Sequence, residues 1–234
     1  MSNLRISEIF SSVQGEGQFL GVPSTFVRTS GCNLRCVWCD TPYASWSPEG
    51  PMMSIDQIVS ECQELKNQHV VLTGGEPMLF DPIEELAKKL QAQGHFITIE
   101  TAGTISRHLP GSFMSISPKP AHSAPPKDTP GDWFQRHEST RFQPDTIRQL
   151  VIHHEYQFKF VVKPEEPGSI EEIQSMLTAI NHQIPPEKIF LMPEGRDQAT
   201  LNERLKLLVP ICHKTGYRLA PRLQIDLFGD TRGT

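Results

Sequence analysis

Three of the five cysteines fall within eight residues, Cys32, Cys36 and Cys39, in the order Cys-x3-Cys-x2-Cys. A chain built this way must bring three thiols to one neighbourhood. The spacing i, i+4, i+7 also suits the buried stripe of a helix. Gly31 and Asn33 favour a loop, however, and Pro42 follows closely, so a helix through the segment would be very short. Cys62 and Cys212 stand alone among periodic apolar residues and read as core. The N-terminus, Met1-Ser2-Asn3-Leu4-Arg5, has no apolar signal region, and no run approaches the roughly 18 residues of a membrane span. The expectation is a soluble, cytoplasmic protein with no membrane partner, in which a tight cysteine cluster means metal or redox chemistry rather than disulfides.

Zinc as a structural ion wants four ligands, and no histidine lies in the segment; the next, His69, sits on a predicted strand. The reading that remains is an iron–sulfur cluster held by three thiolates. One of four irons then lacks a protein ligand, and a molecule carrying an amine and a carboxylate can take it. If that molecule also carries a sulfonium, it can accept an electron from the cluster, which is the logic of radical chemistry started from S-adenosylmethionine. A formal charge of −5 argues against a nucleic-acid partner.

From residue 24 to about 117 short apolar runs alternate with amphipathic stretches. Strands are expected at Ser24 to Arg28, His69 to Thr73, His95 to Glu100 and Ser112 to Ser117, with helices at Ser54 to Lys66 and Pro82 to Gln93. This alternation predicts βαβ units and a mainly parallel sheet. Pro118 to Pro144 holds six prolines and one glycine and reads as a long loop or partly ordered insertion, residues 118–148 at its widest. A second series follows: helix Asp145 to His153, strand Tyr156 to Val162, helix Ser169 to Asn181 and strand Lys188 to Met192. Helix Gln198 to Thr215 is expected to break at Pro210, and Arg218 to Phe228 to form an edge strand or extended tail. One α/β domain spans residues 1–234, with five or six βα units, too few for a full eight-unit barrel.

Polar motifs recur at the predicted strand ends. Thr73-Gly74-Gly75-Glu76-Pro77 follows one strand, Glu100-Thr101 ends the next, and Ser117-Pro118-Lys119 the one after. With the cysteine triad, and Trp38 just before its last member, these resemble the signature of the radical S-adenosylmethionine superfamily. Glu8 to Gly17, with its Gln14-Gly15-Glu16-Gly17 element, Phe26 to Leu34, and Cys39-Asp40-Thr41 resemble the 7-carboxy-7-deazaguanine synthase family of queuosine biosynthesis. The likeness is close over residues 7 to 119 and looser through Met192 to Gly195 and Arg222 to Gly229.

The resemblance implies an incomplete (β/α)6-type barrel and a lyase. A 5′-deoxyadenosyl radical would take hydrogen from C6 of 6-carboxy-5,6,7,8-tetrahydropterin, and ring contraction with loss of ammonia would follow. It implies a [4Fe-4S] cluster on Cys32, Cys36 and Cys39, and Mg²⁺ on Thr41. S-adenosylmethionine is expected against Trp38, Cys39, Asp40, Gly75, Glu76, Glu100, Ser117, Pro118 and Lys119. The pterin is expected against Val13, Gln14, Gly15, Glu16, Arg28 and Thr73. Arg28 can pair with its carboxylate, and Glu16 can accept from its guanidine-like edge. Further partners implied are an electron donor such as flavodoxin or ferredoxin and a second copy of the chain. Two other readings share some of these residues: a radical activase that installs a glycyl radical on a protein, and a zinc-binding interaction module. Three further features are left in structural roles. His153-His154 reads as solvated or capping, Met52-Met53 as core filling, and the scattered Lys127, Arg136, Arg141 and Arg148 carry no claim on RNA.

Overall fold

The structure, a computed structural model, describes residues 2–234. Strand β1 (Asn3–Val13) runs antiparallel to β2 (Pro23–Thr29), with Phe10 opposite Phe26. A short helix α1 (Pro42–Ser45) ends the cysteine loop, and β3 (Met52–Ser54) pairs with the start of β1 at one sheet edge. Helix α2 (Ile55–Leu65) begins with a capping box, in which Ser54 and Gln57 satisfy each other's backbone amides. It buries Ile55, Ile58, Val59 and Cys62, so the core role expected for Cys62 holds. Strand β4 (His69–Gly74) follows, then α3 (Pro82–Ala92), whose buried Ile83, Leu86, Ala87 and Leu90 repeat the same spacing. Strands β5 (Phe96–Thr101) and β6 (Phe113–Ile116) complete this half.

The proline-rich insertion is built, not loose. It carries a helical turn at Ala121–Ser123 and the helix α4 (Trp133–Thr140). Arg141 knits it together, donating to the Lys119 carbonyl and pairing with Glu138 and Glu172. Helix α5 (Pro144–His153), strand β7 (Glu155–Val162), helix α6 (Ser169–Ala179) and strand β8 (Ile189–Pro193) resume the alternation. Helix α7 (Gln198–Thr215) is continuous, contrary to the break expected at Pro210. Pro210 sits on the exposed face, where water can reach the carbonyl that its missing N–H leaves unpaired. The expected terminal strand is only β9 (Arg218–Leu219), and the chain then forms a short helix, α8 (Leu223–Phe228).

All nine strands form one open sheet in the order β3-β1-β2-β4-β5-β6-β7-β8-β9. From β2 through β9 every pairing is parallel. Val70, Val71 and Leu72 are all fully buried, as a parallel strand covered on both faces requires. The sheet does not close, which makes this the partial barrel expected. Its parallel strands all end at one face, and the loops leaving them surround a cavity. At the opposite face His69 bonds to Ser24 and Thr98, so the one histidine weighed as a zinc ligand is a core residue.

Candidate active site

The cavity at the C-terminal strand ends has a volume of about 310 Å³. Its cysteine end is the loop between β2 and α1. Cys32, Cys36 and Cys39 all face the cavity, and none is in a disulfide. The Leu34 amide donates to Cys32 Sγ at 3.4 Å, and Ser45 Oγ lies 3.1 Å from Cys39 Sγ. Burial pushes the Cys32 and Cys36 thiols up to about 12, so a metal must displace their protons on binding. Among the described residues no three His, Cys, Asp or Glu side chains close on a single metal ion. A four-iron cluster takes one thiolate per iron, so its ligands stand apart, and three free cysteines on one cavity wall suit that donor set.

The loop is held from two sides. Gly75 donates to the Thr29 carbonyl and Glu76 N to the Gly31 carbonyl. A side chain at Gly75 would meet the Gly31 carbonyl oxygen at 2.1 Å, and one at Gly74 (φ +127°) would meet that of Thr29 at the same distance. The double glycine thus lets β4 lie against the cysteine loop. On the other side the insertion supplies His137, whose Nδ1 accepts from the Arg35 amide at 3.2 Å, and Ser123, whose carbonyl accepts from Val37 N at 3.0 Å.

Of the residues expected to hold the sulfonium cofactor, Trp38, Cys39, Asp40, Gly75, Glu100, Ser117 and Lys119 line the cavity. Trp38 Nε1 is buried with no acceptor among the described residues. Lys119 donates to Ser117 Oγ at 2.8 Å. Glu76 and Pro118 do not line the cavity. The Glu76 carboxylate is fully buried behind the wall, accepting from Thr101 Oγ1, Ala102 N and Met78 N. It clamps two strand ends together. Thr41, expected on Mg²⁺, reaches the cavity beside Cys39.

The six residues expected on the pterin all line the opposite end: Val13, Gln14, Gly15, Glu16, Arg28 and Thr73. Arg28 donates from Nε to Glu8 Oε1 at 2.6 Å, while no acid among the described residues pairs with its Nη groups. Gln14 Nε2 and Thr73 Oγ1 both donate to Glu100, at 3.2 and 2.9 Å.

This end also holds residues that sequence reasoning missed. Lys159 of β7 forms an ion pair with Glu16 Oε2 and lies 3.6 Å from Glu100. Arg222 bonds Glu16 Oε1 at 3.2 Å and also pairs with Asp40. Gln224 Nε2 donates to Glu16 Oε1 at 2.7 Å, and its Oε1 is left buried without a partner. Burial alone would raise the Glu16 carboxyl, but the Lys159 ammonium and Arg222 guanidinium outweigh it and hold the group well below the usual carboxylate range. The Glu100 and Glu16 carboxylates push Lys159 up against its own burial. Finally, the tail from Gly229 to Thr234 closes the rim, fixed by Arg232 on Glu8 and Glu49 and over the Tyr43 ring.

The sequence model of the radical SAM superfamily matches residues 26–111, the stretch with the cysteine triad and the double glycine. A 7-carboxy-7-deazaguanine synthase of Halobacterium salinarum is 43% identical over 99% of this chain and 93% of its own length. One of Rhodopirellula baltica is 40% identical over 100% and 90%. Among solved structures, QueE from Escherichia coli superposes with a TM-score of 0.70 at 24% identity, covering 94% of each chain. TYW1 with a lysine-pyruvate adduct bound shares the fold at a TM-score of 0.58 and 12% identity, over 83% of this chain and 74% of that one. Relatives of this identity, aligned from end to end, show that the chain belongs to the 7-carboxy-7-deazaguanine synthase family.

Proposed function

We propose that this protein converts 6-carboxy-5,6,7,8-tetrahydropterin to 7-carboxy-7-deazaguanine with loss of ammonia, a step of queuosine biosynthesis. The observation that carries the reading is one cavity with three cysteines on one wall and a Glu16–Arg28 face on the other. Neither the glycyl-radical activase nor the zinc module needs that second face, and two relatives that bear the synthase name match this chain over 93% and 90% of their length.

When bound, a [4Fe-4S] cluster on Cys32, Cys36 and Cys39 supplies the electron that cleaves S-adenosylmethionine. The chain's own residues do the rest of the positioning. Asp40, Gly75, Ser117 and Lys119 lie within the cavity to hold the cofactor's polar groups. Glu16, kept ionised by Lys159 and Arg222, accepts from the N–H groups of the pterin's guanidine-like edge. Arg28, steadied at Nε by Glu8, offers its Nη groups to the substrate carboxylate. Thr41 would hold Mg²⁺ through its hydroxyl, and the hard cation would supply positive charge for the substrate's oxygens. Flavodoxin or ferredoxin is the electron source this chemistry calls for, in a cytoplasmic homodimer.

The test is anaerobic reconstitution with iron and sulfide, then incubation with S-adenosylmethionine, reductant, Mg²⁺ and carboxytetrahydropterin. The expected product is 7-carboxy-7-deazaguanine. A fully iron-loaded enzyme that cleaves the cofactor without forming it would refute the substrate assignment.

A further inference from the structure

A single guanidinium spans the two halves of the cavity. Arg222 is 7% exposed and precedes α8. Its nitrogens go to three separate places: Nε to Glu16 on the turn after β1, Nη2 to Asp40 after the last cysteine, and Nη1 to the Gly195 carbonyl at 2.7 Å. The group is planar and rigid, so it fixes the two carboxylates relative to one another. Glu16 is held by further donors, Gln224 on Oε1 and Lys159 on Oε2. Asp40 has no such support. Its side chain is 46% exposed, and Arg222 is its one ion-pair partner among the described residues. The bond to Gly195 holds the guanidinium from a third direction.

We propose that Arg222 is a positioning residue that couples the cofactor and pterin sites. Seating S-adenosylmethionine against Asp40 sets, through the guanidinium, the Glu16 carboxylate that meets the pterin. By linkage the pterin must tighten the cofactor by the same factor. The inference rests on the proposed function, with Asp40 on the cofactor side and Glu16 on the pterin side.

The experiment is equilibrium titration of the reconstituted holoenzyme without reductant, so that nothing turns over. The Kd of S-adenosylmethionine is measured with and without carboxytetrahydropterin, for wild type, Arg222→Gln, Arg222→Lys and Asp40→Ala. Wild type is expected to show about five-fold tightening or more, the lower end of ordinary site-to-site coupling. Arg222→Gln and Asp40→Ala are expected to reduce it below about two-fold. Lysine, a point charge unable to reach both carboxylates, restores charge but not coupling. Wild type without coupling overturns the proposal, and so does an Arg222→Gln variant that binds both ligands more weakly at an unchanged ratio, the behaviour of a merely structural residue. If Arg222→Gln does not fold, Asp40→Ala at its exposed position decides alone. A pterin that tightens the cofactor yet is never converted would defeat the substrate assignment and leave the coupling standing.

Discussion

The two ends of the cavity are built on opposite principles. At the cysteine end three thiols sit among backbone amides and the Ser45 and Thr41 hydroxyls, and burial pushes the Cys32 and Cys36 thiols up. Little there is organised by charge until a metal arrives. At the Glu16 end one acid of the protein is already paired with two bases, Lys159 and Arg222, and its carboxylate stands ionised before any ligand enters. One end takes its order from its cargo, and the other is organised in advance. The largest effect should follow from removing a ligand at the first end. Cys36→Ala is expected to abolish cofactor cleavage and the brown charge-transfer absorbance, while the unfolding midpoint of the metal-free protein moves little. A variant that kept a full cluster would break the contrast.

The second end should respond in stability as well as in activity. Lys159→Met leaves Glu16 with Arg222 and Gln224 but removes its ammonium, at a site where both side chains are largely buried. Breaking a buried pair this way costs about 2 kcal/mol or more, seen as a lower urea midpoint. Adding Glu16→Gln should recover part of that loss, since the uncompensated charge goes with it. Purely additive single variants would mean that the pair is not coupled.

The same contrast explains what could be read from the sequence. The cysteine end is local: its three ligands lie within one loop, and the double glycine that supports it follows the next strand. The alternating runs around them fixed the parallel sheet, because Val70 to Leu72 and the α2 stripe carry their burial in their spacing. The charged end is assembled from the turn after β1, from β7 and from the entry to α8. Lys159 lies within the apolar run of β7, and nothing in its neighbours marks it as facing Glu16. Arg222 and Gln224 fell in a tail read as an edge strand or extended segment, so their partners were out of reach. Glu76 shows the converse: the motif was visible, but only the fold reveals that its carboxylate faces Thr101 and the β5 loop. The strand β1 was missed although Leu4 and Ile6 begin a period of two. Helix α4 was hidden by the prolines on either side of it.

Acid should loosen the cysteine end through the insertion. His137 is fully buried, and burial, helped by the Arg141 and Lys119 charges, lowers it to about 4. Its Nδ1 accepts from the Arg35 amide, so the folded chain needs the neutral ring. The unfolded chain, with its histidine near 6.5, binds the proton first. The stabilisation is therefore complete above about pH 6.5 and is lost as the pH falls from there towards 4. His69, also lowered to about 4 by burial, adds to the same slope. The expected loss between pH 7 and pH 5 is about 1–2 kcal/mol per histidine. His137→Asn, which keeps an acceptor near Nδ1, should flatten that slope and slow the acid-induced exchange of the Arg35 amide. Unchanged exchange at Arg35 would show that His137 does not latch the insertion to the loop.

The smallest effect belongs to the rim, where the pre-organised end meets solvent. Arg232 donates to Glu8 Oε2 at 3.1 Å while Arg28 takes Oε1, so one carboxylate carries both the tail and the arginine proposed to meet the substrate. Arg232 and its other partner, Glu49, are about half exposed. An exposed pair contributes at most about 1 kcal/mol, and Arg232→Ala should shift the melting temperature only slightly. What it removes is order in the tail over the cavity and one of three donors on Glu8, the others being Arg28 and Tyr43. The KM for the pterin is expected to rise a few-fold with kcat unchanged, the pattern of binding lost equally from ground and transition states. High salt should produce a similar rise in wild type, because these charges are open to screening. A fall in kcat of ten-fold or more would move Arg232 from the rim into the charged end itself.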